Sequence, residues 1–387
     1  MSQPPTPVPF VDLHALHQPL QEKIEAAVRD VLDRGDFILG RAVKAFERDF
    51  ARTCGVEYGI GVACGTDAIA LGLRACGIGT GDEVIVPANT FIATLIGVLH
   101  AGATPVLVDC DPNTALIDLE AAERAITPRT QAILPVHLYG QMVSPSGLQA
   151  LAEKHDLLIF EDAAQAHLAQ REGYTAGSVG TAAAFSFYPS KNLGAGGNGG
   201  ITVTNNSPIA ERLQALRNYG APQKYVHAYR GTNSRLDTLQ AAILNVKLPH
   251  LRDWNRQRNQ AASRYDRQLE SLRECGIVPL RNDSQGGHVY HLYVLRVTDE
   301  SPLTRDELAA ELDQQGIQTG IHYPIPCHLQ PAYRDLGYEE GRFPHSETLS
   351  RQILSLPMYP GLSEAQIDRV VGAIETAVRH PVATAGS

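Results

Sequence analysis

Nothing in this chain spaces cysteines for a metal or redox motif, tips the charge basic, or reads as a membrane span. Its six cysteines, Cys54, Cys64, Cys76, Cys110, Cys275 and Cys327, include no Cys-x-x-Cys. That excludes a zinc ribbon or a dithiol motif, and no metal site is expected. Scattered cysteines in a long chain fit a reducing compartment and read mostly as small buried hydrophobes. The formal net charge is −9, whereas nucleic acid or an anionic membrane surface would want a basic face. The opening residues, 1–7, carry no apolar signal core, and no internal repeat or low-complexity stretch stands out. The expectation is a soluble, cytoplasmic protein with no nucleic-acid or membrane partner and with mobile tails at 1–7 and 381–387.

What is present is an ordinary globular composition, 43% hydrophobic and 19% charged over 387 residues. Such a length suggests roughly two to three domains and buries a sizeable core. Short apolar runs at 58–63, 83–86, 104–108, 132–136 and 157–160 alternate with helical patterns at 66–76, 90–99, 119–125 and 147–154. Strands alternating with helices predict crossover units and a mainly parallel sheet covered on both faces, an α/β fold. Ligands in such sheets collect at the carboxyl ends of the strands. A strand is predicted at 201–204 and a helix at 209–217. A long helical pattern then opens near Ser234 and runs past Leu251 toward Leu269, with a kink at Pro249. Strand 291–297 and helices 305–314 and 364–378 complete a smaller α+β part. The predicted division is a large domain over 1–250 and a small C-terminal domain over 251–387.

The chemistry begins at Lys191, in Phe185-Ser186-Phe187-Tyr188-Pro189-Ser190-Lys191. Asp162 lies in Glu161-Asp162-Ala163-Ala164-Gln165, directly behind the apolar run. Pyridoxal phosphate needs a lysine for its Schiff base and a carboxylate to hold its ring nitrogen protonated. It also needs N–H groups at a helix start for its phosphate and a flat partner for its ring. Gly65 and Thr66 stand at a strand-to-helix junction, where Thr66 can cap the helix and offer its hydroxyl to phosphate. Phe91 stands at another such junction. Taken singly, each has a plainer reading: Lys191 as a solvated surface lysine, Asp162 and Thr66 as caps, Phe91 as a core residue. The run Gly194-Ala195-Gly196-Gly197-Asn198-Gly199 matches G-x-G-x-x-G. However, a strand follows it instead of a helix, and Gln214 stands where an acid is wanted. These glycines read as letting backbone pass close to a bulky cofactor.

Taken together the residues resemble the DegT type of nucleotide-sugar aminotransferase, within the aspartate-aminotransferase superfamily of pyridoxal-phosphate enzymes (fold type I). The resemblance runs from Phe10-Val11-Asp12-Leu13 to Leu356-Pro357-Met358-Tyr359-Pro360. It includes Gly65-Thr66-Asp67-Ala68, Pro135-Val136-His137-Leu138-Tyr139-Gly140, the segments around Asp162 and Lys191, Asn233-Ser234-Arg235-Leu236-Asp237 and His322-Tyr323-Pro324-Ile325-Pro326. It implies a mainly parallel seven-stranded sheet sandwiched by helices. It implies Lys191 as Schiff-base lysine and proton shuttle, Asp162 at the pyridine nitrogen, and Gln165 beside the ring. Gly65, Thr66 and Ser186 would hold phosphate, and Phe91 would stack on the ring. Tyr188 and His322 would contact substrate or assist proton transfer. Asn233 would reach the phosphate of a neighbouring subunit, implying a homodimer with shared sites. The implied reaction moves an amino group from L-glutamate to a nucleotide-linked keto sugar, at carbon 3 or alternatively carbon 4. Lys224, Arg230 and Arg235 are candidate cations for the diphosphate. Asn198, Cys64 and Cys327 depart from the family pattern, standing where aspartate, asparagine or serine, and leucine are usual. Competing readings are a dinucleotide oxidoreductase, a sugar dehydratase on the same scaffold, which would replace Lys191 with histidine, and a non-catalytic regulatory protein.

Overall fold

The computed structural model describes residues 7–380; residues 1–6 and 381–387, which hold nearly all of the two tails expected to be mobile, lie outside the described residues. A seven-stranded sheet forms its centre, with strand order β1-β9-β8-β5-β4-β2-β3. The strands are β1 (Tyr58–Val62), β2 (Glu83–Pro87), β3 (Thr104–Val108), β4 (Thr130–Ile133), β5 (Leu158–Asp162), β8 (Ala182–Ser186) and β9 (Gly200–Thr204). A two-stranded ribbon, β6 (Gln170–Arg171) and β7 (Tyr174–Thr175), sits between β5 and β8 in the chain. All pairings from β8 through β5, β4 and β2 to β3 are parallel, whereas β9 runs antiparallel to both neighbours. The central strands are apolar because both faces are covered: every residue of β2 and β9 is buried.

Helices α1 (Leu13–His17), α2 (Gln21–Arg34) and α3 (Arg41–Cys54) precede the sheet. These three helices lie outside the predicted elements, although Val43, Phe46, Phe50 and Cys54 recur at helical spacing and are all buried. Phe46 and Phe50 are fully sealed, each contributing about 1.5–3 kcal/mol by burial. Gly55 closes α3 with φ 78°, the left-handed conformation that favours glycine. The crossovers are α4 (Gly65–Ala75), α5 (Ile92–Ala101), α6 (Leu119–Arg124), α7 (Pro145–His155) and α8 (Ser207–Leu216). Strand β8 was also missed, because Ala182-Ala183-Ala184 has little strand propensity of its own. Its neighbours impose the strand: β5 and β9 pair with it on either side.

Beyond the sheet the long helical pattern resolves into α9 (Thr238–Lys247), a 3₁₀ turn over Leu248–His250 and α10 (Leu251–Leu269). The break falls at Pro249, as its missing N–H requires. The helix starts at Thr238 and not at Ser234, since the Ser234 hydroxyl is spent on Asp67 and the Ala63 N–H. A second sheet, β10 (Ile277–Pro279), β11 (Tyr293–Val297) and β12 (Ile353–Leu356), is antiparallel throughout. With α11 (Arg305–Gln314), α13 (Glu364–Arg379) and α10 it encloses a second apolar core around Tyr265, Leu295 and Ile374, whereas α12 (Pro344–Gln352) turns Leu349 into the main core.

Against the expectation that no uncharged stretch is as long as a membrane span, residues 84–108 contain no Asp, Glu, Lys or Arg, a length that could cross a bilayer. They fold instead as β2, α5 and β3. Among the described residues no helix is long and apolar enough to span a membrane. All six cysteines are free; Cys54, Cys110 and Cys327 are buried and the other three partly so.

Candidate active site

A cavity of about 320 Å³ opens where β1, β2, β4, β5 and β8 end. Its walls include Gly65, Thr66, Phe91, Asp162, Gln165, Ser186, Tyr188 and Lys191. The parallel strands thus deliver, at their carboxyl edge, eight residues scattered over a long stretch of sequence. His291, His322 and Tyr323, from the later part of the chain, also line it. A larger groove of about 670 Å³ lies along α10 and α13, but its Arg264 is already paired with Glu364 and Asp368.

Lys191 and Asp162 line this one cavity without touching. No hydrogen bond or ion pair engages the Lys191 ammonium among the described residues, yet each charge is felt by the other. Burial pushes the Lys191 ammonium down to about 8, against the opposing pull of Asp162. Burial raises the Asp162 carboxyl above the ordinary range. The Thr94 hydroxyl (2.7 Å), the Ala164 N–H (3.1 Å) and the Lys191 charge work against that rise. Asp162 therefore caps the following loop and faces the cavity at once. Its strand end is fixed from behind by Glu161, which is fully buried. That carboxylate accepts the Gly177, Val179 and Gly180 N–H groups and faces His137 Nε2 at 2.9 Å. His137 Nδ1 accepts the Val143 N–H, so the remaining proton sits on Nε2 and points at Glu161.

The start of α4 borders the cavity through Gly65 and Thr66. A Cβ on Gly65 would lie 2.7 Å from the Ser186 Cβ, so only glycine permits this approach. The N-cap is Cys64, whose Sγ accepts the Asp67 N–H. Thr66 is inside the first turn, which corrects its reading as the cap and leaves its hydroxyl beside the free N–H groups. Ser186 accepts the Tyr188 N–H at 3.3 Å. Phe91 is half-exposed on the cavity, not a core residue, with its ring 5.2 Å from that of Tyr323. Gln165 is engaged at both ends, accepting the Tyr139 N–H at 2.6 Å and donating to the Tyr323 hydroxyl at 3.1 Å. His322 stacks on Phe10, and its Nδ1 meets the Ser355 hydroxyl at 2.9 Å. Burial, then the nearby Lys191 charge, lowers its imidazolium to about 4, so its ring is neutral at physiological pH. Tyr188 is exposed at the mouth.

The glycine run behaves differently from the expectation. Gly194 is crowded by the Pro189 carbonyl, so protein backbone demands this glycine, and a Cβ on Gly196 or Gly197 would meet the Gln240 side chain. Only Asn198 and Gly199 of the run reach the cavity. Asn233 is exposed and does not line the cavity of its own chain; its backbone bridges to Asn218. Lys224, Arg230 and Arg235 are absent from the walls as well. Arg235 is occupied by Asn218 and the face of Tyr219. The sequence reading did not single out Thr94, His291 or Tyr323. Thr94 carried a signal, since it follows Thr90 by one turn at the start of a helix. His291 and Tyr323 carried none outside the resemblance, because their approach depends on the second sheet.

The sequence profile of the DegT/DnrJ/EryC1/StrS aminotransferase family matches residues 18–375. The chain is 46% identical over 367 residues to the dTDP-3-amino-3,4,6-trideoxy-alpha-D-glucose transaminase of Streptomyces venezuelae, covering 95% of both proteins. It superposes on the crystal structure of S. venezuelae DesV, solved in complex with a ketimine intermediate, with a TM-score of 0.93 at 46% identity, covering 97% of this chain and 99% of that one. It is likewise similar to NtdA from Bacillus subtilis, solved with bound cofactor PMP: TM-score 0.87, 32% identity, 98% of this chain and 86% of the other. An α/β fold with an aminotransferase arrangement of the sheet, a buried lysine and a facing carboxylate agree with those likenesses, and the chain belongs to the DegT/DnrJ/EryC1/StrS aminotransferase family.

Proposed function

We propose that this protein is a pyridoxal-phosphate aminotransferase that moves an amino group from L-glutamate to carbon 3 of a nucleotide-diphosphate-linked keto sugar. The single observation that carries this reading is Lys191 and Asp162 on one cavity, in reach of each other's field but unpaired. A carboxylate buried without a cation in contact suits a protonated ring nitrogen. A helix start free of side chain at Gly65 suits a phosphate, and the half-exposed Phe91 suits a ring face. The donor set therefore fits the coenzyme. Once bound, pyridoxal phosphate supplies a carbonyl for amine exchange and a ring that accepts electrons when a Cα–H bond breaks.

The chain's own residues supply the rest. Asp162 would hold a proton on the ring nitrogen. Lys191, with its lowered basicity, would accept the proton from the donor's Cα in one half-reaction and would donate a proton to the acceptor carbon in the other. Thr66, Ser186 and the N–H groups near Gly65 would hold the phosphate, and Gln165 would lie beside the ring. His322 and Tyr188 orient the sugar, His322 as a neutral imidazole. The proposed division at 250/251 places His291, His322 and Tyr323 on the small domain, so the cavity lies between the two parts.

No arginine lines the cavity among the described residues, although a nucleotide diphosphate carries negative charge. We assign that role to a second copy of the chain. Residues 222–230 are all exposed, including Lys224, Tyr225 and Arg230, and Tyr225 is 82% accessible. Phe37 and Ile38 are exposed beside Asp237, to which Ile38 bridges. In a homodimer this apolar and basic surface is covered, and Asn233 reaches the partner's phosphate site.

The test is glutamate-dependent amination across nucleotide-linked 3-keto and 4-keto sugars. Wild-type protein turns over a 3-keto acceptor, and Lys191→Ala loses about 10²–10⁴-fold or more. Asn233→Ala protein is impaired alone. Mixed with Lys191→Ala and reassociated, it regains activity, because each hybrid dimer holds one intact site. Full activity of Lys191→Ala, or turnover of 4-keto sugars alone, contradicts the reading; absence of recovery in the mixture contradicts the shared site.

A further inference from the structure

The Asp162 carboxylate is the end of a buried hydroxyl chain. Thr94 Oγ1 lies 2.7 Å from Asp162 Oδ2, and Thr90 Oγ1 lies 2.8 Å from Thr94 Oγ1. Thr90 is 3% exposed and Thr94 1%, and both line the coenzyme cavity. A hydroxyl has one proton. Thr94 gives its proton to the carboxylate, so in the Thr90–Thr94 contact Thr90 must be the donor. The chain therefore has one direction, from Thr90 through Thr94 to Asp162. Hydrogen bonds in series polarise one another, and a charged acceptor strengthens the last of them.

The first link is held by the segment that follows His322 and Tyr323. The Cys327 N–H donates to the Ala88 carbonyl at 2.8 Å, and the Cys327 thiol donates to the Thr90 carbonyl at 3.3 Å. Cys327, one of the departures from the family pattern, thus ties the His322–Cys327 segment to the residue that begins the chain. The other groups facing Asp162 are the Ala164 N–H, the Lys191 ammonium, His137 and the Tyr323 hydroxyl. None of them contributes a second side-chain hydrogen bond to the carboxylate.

We infer that Thr94, oriented by Thr90, is a positioning residue that sets how strongly Asp162 competes for the proton on the coenzyme's ring nitrogen. This rests on the proposed role of Asp162. A proton shared between a ring nitrogen and a carboxylate sits on whichever is the stronger base. Donation from Thr94 weakens the carboxylate as a base and leaves the proton on nitrogen, where electron withdrawal needs it. Without the hydroxyl the carboxylate draws the proton toward itself, and the ring becomes a weaker acceptor of electrons.

The experiment is nitrogen-15 NMR of the holoenzyme loaded with pyridoxal phosphate labelled at the ring nitrogen. Wild-type protein shows the protonated resonance and Asp162→Asn the unprotonated one; any other result for this pair sinks the role of Asp162 and the inference with it. Thr94→Val is expected to move the resonance toward the unprotonated position. Thr94→Ser, which keeps the hydroxyl, holds it at the wild-type position, and Thr90→Val moves it by a smaller amount in the same direction. A Thr94→Val resonance at the wild-type position, with Asp162→Asn displaced, overturns the inference and leaves the role of Asp162 standing. Should Thr94→Val fail to take up coenzyme, Thr90→Val decides: an unmoved resonance overturns the directional chain.

Discussion

Burial strips water from the Lys191 ammonium without giving it a carboxylate to touch, and its proton affinity falls to about 8. The consequence is chemical, because only the neutral amine attacks a carbonyl. About a tenth of this lysine is neutral at pH 7 and about nine-tenths at pH 9, whereas an ordinary lysine is still almost wholly charged at pH 9. The rate at which coenzyme-free protein takes up pyridoxal phosphate should therefore rise about tenfold between pH 7 and 9 and level off above that. A stopped-flow pH series measures it. A rate that keeps climbing tenfold per pH unit toward pH 10 would show that Lys191 is not desolvated. The same scale exposes what residue identity conveys and what it does not. Lys191 and Asp162 were legible because each sits in a distinctive local setting, behind an apolar run or before a glycine run. Phe91 by itself read as core, and only its place on the cavity rim gives it an exposed face.

At the scale of elements, the site depends on how β5 and β8 end. Glu161 stitches the end of β5 to residues 177–180, just ahead of β8, through three N–H groups and His137. Asp162 projects from the same strand end. Replacing Glu161 with alanine orphans these buried donors, each costing about 1–3 kcal/mol. We expect Glu161→Ala to lower unfolding stability by about 3 kcal/mol or more, read as a fall in the urea midpoint with an unchanged slope. A loss below about 1 kcal/mol would mean that solvent replaces these contacts. Long amphipathic and strongly apolar elements were readable from periodicity, and so was the break at Pro249. The three-alanine core of β8 was not, because its strand conformation comes from its neighbours. The N-terminal helices show that a readable pattern can also be passed over: Val43, Phe46 and Phe50 carry helical spacing in plain view.

At the scale of the whole molecule, two sheets converge on one cavity. The parallel sheet contributes the amine, the acid and the helix start at Gly65. The chain beyond the long helical segment contributes His291, His322 and Tyr323. That convergence was legible as a fold class, since strands alternating with helices dictate a parallel sheet with ligands at its carboxyl edge. The wall from the later part of the chain was not legible from pattern, because sequence separation says nothing about which loops of the second sheet lean inward. Asn233 and the exposed 222–230 segment belong to this scale too, since their proposed work is done in another subunit. Everything rests on Lys191 and Asp162 meeting opposite parts of one bound coenzyme. The most direct measurement is borohydride reduction of the coenzyme-loaded protein followed by peptide mass spectrometry. A single phosphopyridoxyl group on Lys191, with the visible absorption of the loaded protein abolished, is the predicted result. Label on another lysine, or a loaded protein that borohydride leaves unlabelled, would contradict it.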